Sequence, residues 1–178
     1  DDESEGAVFI VPFGADPGAV ADAGVLVFDR GSAAFADAFA EAGDVDGDGL
    51  TDLYVTAPAD EAYPEDGAVY VVLAPFDSAR DVAQGDHAIA GVPGASVYSG
   101  SPVAGGDIDG DGRPDLAYGG TSLYGARVFT DPLRAATLDD ANCDITDTAD
   151  FALGAGSAVS IGDMNGDGFA DVIIGAED

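Results

Sequence analysis

The stretch Gly43-Asp44-Val45-Asp46-Gly47-Asp48-Gly49-Leu50-Thr51-Asp52, with the apolar run Leu53-Tyr54-Val55-Thr56-Ala57-Pro58 behind it, decides the fold. The pattern returns as Gly106-Asp107-Ile108-Asp109-Gly110-Asp111-Gly112-Arg113-Pro114-Asp115 and as Gly162-Asp163-Met164-Asn165-Gly166-Asp167-Gly168-Phe169-Ala170-Asp171. Steps of 63 residues (44 to 107) and 56 residues (107 to 163) separate the copies. Each copy again leads into a strand-sized apolar run, Leu116-Ala117-Tyr118-Gly119-Gly120 and Val172-Ile173-Ile174-Gly175-Ala176. Self-similarity at a long period marks a repeat architecture.

A second motif, Gly-Ala followed by β-formers, occupies Gly6 to Val11, Gly67 to Leu73 and Gly125 to Phe129 and also reads as strand. Gly, Pro, Asp and Ser clusters between the motifs, including Pro12 to Pro17 and Ala59 to Asp66, suit turns. Ala33 to Ala42 is the one stretch with a helical look, and Phe35, Ala38, Phe39 and Ala42 fit a short strand equally well. The coarse reading is all-β. A unit of about 60 residues with roughly four short strands has the size of a β-propeller blade, which buries its faces only against neighbouring blades. A sandwich is the alternative, but it has no reason to copy one loop three times.

The expected organisation is one propeller region over residues 1–178, with repeats at about 6–66, 67–124 and 125–178. The Gly-Ala strand starts 15 residues after the last loop aspartate in the first copy (52 to 67) and 10 in the second (115 to 125), and the third lacks one. Rings use about four to eight blades, so three repeats leave the ring incomplete within one chain. Asp1 to Val11 is expected to complete a blade of a neighbouring chain or of a missing segment. Between chains such a contact is heterologous: it closes a ring or runs into a filament by strand addition. The competing expectation is a piece of a longer propeller.

Among 178 residues, 35 are acidic and five are arginines, with no lysine, giving a formal charge of -30. This charge repels nucleic acid and anionic membranes and makes cations the partners to expect. The lone Cys143 forms no internal disulfide. No run of 18 apolar residues and no basic-then-apolar leader is present, so neither a membrane span nor a signal peptide is expected. A chain starting at Asp1 fits a mature or trimmed product.

Aspartates spaced by two on a glycine-rich loop gather oxygens, and oxygen is what calcium takes, six to eight at about 2.3–2.6 Å. The side chains of Asp44, Asp46, Asp48 and Asp52 with the Leu50 carbonyl form the first expected site. Asp107, Asp109, Asp111 and Asp115 with the Arg113 carbonyl form the second. Asp163, Asn165, Asp167 and Asp171 with the Phe169 carbonyl form the third, in which Asn165 keeps an oxygen but drops a charge. Without an ion, such carboxylates repel one another, so metal binding should couple to folding. A turn that binds nothing is the bland alternative, which three matching copies disfavour. An EF-hand would need a bidentate Glu where Val55, Tyr118 and Ile174 stand. Magnesium, strictly octahedral and reluctant to lose water, suits the pattern less.

The pattern resembles the FG-GAP repeats of integrin α-subunit propellers and their bacterial secreted relatives. The Phe-Gly element is matched by Leu153-Gly154, and more weakly by Phe35-Ala36 and Tyr98-Ser99. The Gly-Ala-Pro element is matched by Thr56-Ala57-Pro58, Gly175-Ala176 and the degenerate Gly119-Gly120. This resemblance implies a seven-bladed propeller outside the cell, with calcium in hairpin loops and protein or glycan recognition on its faces. Only the calcium residues carry over position by position.

Catalysis is not expected: His87 is the single histidine, Cys143 the single thiol, and most of the informative carboxylates are accounted for by calcium. Tyr63, Tyr98 and Tyr124 are loop tyrosines that either anchor a ligand or cap the fold, and Arg127 and Arg134 are expected to pair with acidic neighbours. Three functions follow: an extracellular calcium-binding module for adhesion or recognition, a self-assembling structural subunit joined through Asp1 to Val11, and an accessory domain of a larger secreted enzyme.

Overall fold

A computed structural model describes residues 6–11, 25–28, 35–58, 66–82, 87–93, 97, 103–120, 125–146 and 155–176. Tyr63, Tyr98, Tyr124, Ser99, Leu153, Gly154, the Pro12 to Pro17 turn and Asp1 to Glu5 lie outside the described residues.

Every apolar run after an aspartate loop, and every Gly-Ala segment, is a strand. In chain order they are β1 (Ala7–Ile10), β2 (Val25–Phe28), β3 (Phe39–Gly43), β4 (Asp52–Ala57), β5 (Ala68–Val72), β6 (Arg80–Asp81), β7 (His87–Ala90), β8 (Val103–Gly106), β9 (Asp115–Gly120), β10 (Gly125–Phe129), β11 (Cys143–Thr146), β12 (Ala155–Gly162) and β13 (Asp171–Ala176). The ambiguous Ala33 to Ala42 segment resolves, within its described part, into a turn and β3. A 3-10 turn stands at Leu138–Asp140, and no helix among the described residues is long and apolar enough to cross a membrane.

Two sheets have four antiparallel strands in matching order, β3-β4-β5-β7 and β8-β9-β10-β11. Each aspartate loop is the hairpin between the first and second strands of its sheet. A sheet thus begins before the loop and ends beyond the Gly-Ala strand, straddling two sequence repeats. β12 and β13 reproduce the first two strands, while β1 and β2 pair antiparallel and β6 joins β2 in parallel.

Alternation along the strands sets the packing, because successive side chains leave a strand on opposite faces. On one face of the β3–β7 sheet, Tyr54, Val69, Val71 and Ile89 pack with Val103, Leu116, Tyr118 and Phe129 of the next sheet. On the other face, Val55, Ala68, Tyr70 and Val72 pack with Val8 of β1 and with Phe35 and Val82. Two-sided burial explains why β5, Ala-Val-Tyr-Val-Val, reads as a continuous apolar run rather than an alternating one. β12 lies in turn against β8 and β9. The four sheets therefore follow one another in a row, as successive blades would.

Phe35 is buried, with its ring edge-on to Tyr70 at 5.9 Å between centroids. Ala36 follows at φ 67, in the left-handed region that favours glycine. This backbone is what the Phe-Gly element demands, and alanine occupies the glycine position here at some conformational cost. Arg127 forms ion pairs with Asp139 (3.1 Å) and Asp144 (3.2 Å), and Arg134 with Asp131 (2.9 Å), as the sequence led us to expect.

Candidate metal centre

The three loops are built by one set of local hydrogen bonds. In the first, Asp44 accepts the N–H groups of Gly47 (2.8 Å) and Gly49 (2.9 Å), one on each oxygen. Asp46 accepts from Asp48 (3.0 Å), and Asp48 from Leu50 (2.8 Å). The second loop repeats this with Asp107 on Gly110 (2.8 Å) and Gly112 (3.0 Å), Asp109 on Asp111 (3.1 Å) and Asp111 on Arg113 (2.8 Å). The third does so with Asp163 on Gly166 (2.7 Å) and Gly168 (3.0 Å), Asn165 on Asp167 (2.8 Å) and Asp167 on Phe169 (2.9 Å). Short aspartates that bond their own backbone two residues on favour such turns. The six loop glycines at 47, 49, 110, 112, 166 and 168 have φ between 78 and 92, which a side chain would resist.

This arrangement ties the backbone N–H groups to one oxygen each of Asp46, Asp48, Asp109 and Asp111. The second oxygens have no partner among the described residues. Carboxylate oxygens of Asp44, Asp46 and Asp48 lie within 4.8 Å of one another, as do those of Asp107, Asp109 and Asp115. The third loop, with Asn165 in place of a carboxylate, forms no such trio among the described residues. Asp163, Asp167 and Asp171 still share the hairpin with Asn165, whose amide lies 3.4 Å from Asp171 Oδ1. Leu50, Arg113 and Phe169, expected to contribute carbonyls, occupy the same loop position, with their own N–H groups held by the preceding aspartate.

The closing aspartates begin β4, β9 and β13 and reach back under their loops. Asp52 is fully buried with both oxygens bonded: one accepts from Val45 (2.9 Å), the other from Ala74 (2.8 Å). Its pKa is raised by burial, which outweighs those bonds, with the charges of Asp46 and Asp48 adding to it. Asp115 is equally buried, and its Oδ2 accepts from Ile108 (2.6 Å) and Asp109 (3.2 Å). Its Oδ1 has no partner among the described residues. Burial, against those two bonds and with the charges of Asp109 and Asp107 behind it, pushes its carboxyl up to about 6. In the third loop, Asp171 accepts from Met164 (2.9 Å) and is only half-buried.

The donor set fits a hard divalent cation. A buried carboxylate with a bare oxygen is costly unless a metal or a hydrogen bond meets it, and Asp115 has two further carboxylates beside it. An ion there would be held by oxygens alone, the preference of calcium. Bound in these hairpins, calcium would neutralise the clustered charge and lock the chain reversal between the first two strands of each sheet.

The spacing missed the contacts between loops. Pro114 of the second loop packs on Gly43 at the base of the first, and the Phe169 ring of the third packs on Gly110 of the second. The Tyr54 hydroxyl is buried without a partner among the described residues, and burial, with the charges of Asp115 and Asp52, pushes its pKa up. These are tertiary relations between repeats, invisible to a pattern read within one repeat.

The family model of the FG-GAP repeat matches residues 40–72 and 155–178. The first match covers most of β3, the first loop, β4 and β5; the second covers β12, the third loop and β13. No curated protein matches the chain. Residues 40–72 and 155–178 thus match the FG-GAP repeat, and the unmatched second hairpin shares their loop geometry and strand order.

Proposed function

We propose that this chain is a calcium-binding module of propeller type, in which ions in the three aspartate hairpins rigidify the inter-strand loops. It would serve adhesion or the recognition of protein or glycan outside the cell. The observation that carries the reading is Asp115, a fully buried carboxylate with one oxygen unpartnered among the described residues, beside Asp107 and Asp109. We read the module as binding rather than catalysing. Its single histidine holds the fold: His87 Nε2 lies 2.7 Å from the Ala135 carbonyl, which can only accept, so this nitrogen carries the proton.

Calorimetric titration of the metal-free chain with calcium tests the reading. Three equivalents are expected to bind, with a rise in melting temperature, since an ion at about a hundred times its Kd adds roughly 2.7 kcal/mol. Asp115→Asn should abolish one equivalent. Absence of binding at millimolar calcium would refute the proposal.

A second reading, assembly through strand addition, is favoured by the edges of two strands. β13 lacks a Gly-Ala partner among the described residues, and Ile173 is 42% exposed where the corresponding Tyr54 and Ala117 are fully buried. Among the described residues β1, itself a Gly-Ala strand, pairs with β2 alone. Light scattering decides this reading: a discrete dimer or larger species that dissociates on chelation supports it, and a calcium-insensitive monomer rejects it.

A further inference from the structure

The three hairpins lie on successive sheets, but they do not touch one another in the same way. Phe169, at the seventh position of the third loop, places its ring against Gly110 of the second, so closely that a Cβ on Gly110 would overlap it. The next residue, Ala170, donates its N–H to the carbonyl of Asp107 at 3.0 Å. Asp107 and Gly110 are themselves joined by the Asp107 carboxylate, at 2.8 Å. Two adjacent residues of the third loop thus grip both ends of the first turn of the second.

Between the second loop and the first the grip is missing for a chemical reason. The residue equivalent to Ala170 is Pro114, which has no N–H to donate. The residue equivalent to Gly110 is Gly47, and nothing lies within 4 Å of where its Cβ would be. Among the glycines of the first hairpin, Gly43 at its base is the one with the second loop against it, through the Pro114 ring.

We propose that the second and third hairpins take calcium as a coupled pair, with Phe169 as the positioning residue that joins them, while the first hairpin fills independently. The inference rests on the calcium reading above. Phe169 serves both sides: its carbonyl is the expected backbone ligand of the third site, and its ring and the following N–H hold the frame of the second. Fixing residues 169 and 170 by ion binding in the third loop restrains Asp107 and Gly110 in the second. By linkage, an ion in the second raises affinity in the third by the same factor. With one ring contact and one hydrogen bond as the link, the factor belongs at the low end of the usual range, about fivefold.

The test is a calcium titration of the full chain followed by NMR, with the amide signals of Gly49, Gly112 and Gly168 reporting one loop each. Asp163→Asn, which cripples the third site, is expected to weaken the second about fivefold and leave the first unchanged. Phe169→Ala should reproduce the weakening at Gly112 without removing any backbone ligand, and Phe169→Leu, which keeps bulk over Gly110, should restore part of it. Phe169→Leu carries the test alone if the alanine variant does not fold. A merely structural role would lower the melting temperature in chelator and in calcium equally, leaving the Gly112 midpoint unmoved, and would overturn the coupling. Three midpoints independent of one another's occupancy would overturn it while leaving the calcium reading intact. No calcium-dependent shift at any glycine would overturn both.

Discussion

β4 and β13 begin with the same aspartate, follow the same hairpin and pair with the same kind of first strand, yet one is buried and the other is not. Tyr54 of β4 has no exposed surface, whereas Ile173 at the same place in β13 is 42% exposed. Their loops are nonetheless nearly superimposable in bonding: the first aspartate accepts from glycines three and five residues on in both. The hairpin is thus a local object, specified by nine residues and formed in a two-stranded sheet as well as in a four-stranded one. The environment beneath it is supplied from afar, by a third strand and by the next sheet.

The sharpest way to break this comparison is to truncate both side chains. Tyr54→Ala is expected to cost about 3–5 kcal/mol in urea denaturation, as large core deletions do, while Ile173→Ala should cost less than about 1.5 kcal/mol. Equal costs would mean that β13 is buried in solution by a contact the described residues do not make.

Acid titration sharpens it next. The Asp115 carboxyl, raised to about 6 from an ordinary value of 3.8, binds its proton more tightly in the folded chain than in the unfolded one. In chelator, its contribution to stability is therefore complete below about pH 4 and disappears as pH rises through 6. Under the calcium reading proposed above, the ion would take the proton's place above that point, so affinity at the second loop should fall as pH drops through 6. Asp115→Asn should flatten the chelator curve by up to about 2 kcal/mol between pH 4 and 7, measured by calorimetry, and an unchanged slope would show that the buried carboxyl does not titrate in this window.

The smallest effect belongs to the third loop. Asn165→Asp restores a fourth carboxylate, so calcium affinity there should rise a few-fold, worth about 1 kcal/mol. In chelator the same change should destabilise slightly, through repulsion and loss of the Asn165 contact with Asp171. Weaker calcium binding in this variant would show that charge does not limit the site.

The hairpins and the strands that frame them were legible in the sequence because their causes are short-ranged. Asp-x-Asp-Gly-Asp-Gly dictates the turns, and Leu53 to Ala57 or Val172 to Ala176 can only continue as strand. Ala33 to Ala42 was not legible, since an alanine-rich decapeptide suits either periodicity until Phe39 to Ala42 finds β4 beside it. The inequality of Asp52 and Asp115 was not legible either. Both close loops of one pattern, and the N–H of Ala74, 22 residues beyond Asp52, meets the oxygen whose counterpart in Asp115 has no partner among the described residues. The Phe169 ring on Gly110 belongs to the same class, a relation between repeats that no repeat contains.

Sheets in a row, each packed among the described residues on the next, have nearly one-dimensional energetics. The β3–β7 and β8–β11 sheets are clamped from both sides, whereas the β1–β2 and β12–β13 pairs are held from one side among the described residues. With β13 far more exposed than β5 and β9, opening is expected to start at the β12–β13 pair, and backbone amides of β5 and β9 to exchange with solvent last. An ion bound in the third hairpin would sit where that opening begins, so the least charged of the three loops would govern how long these sheets stay closed.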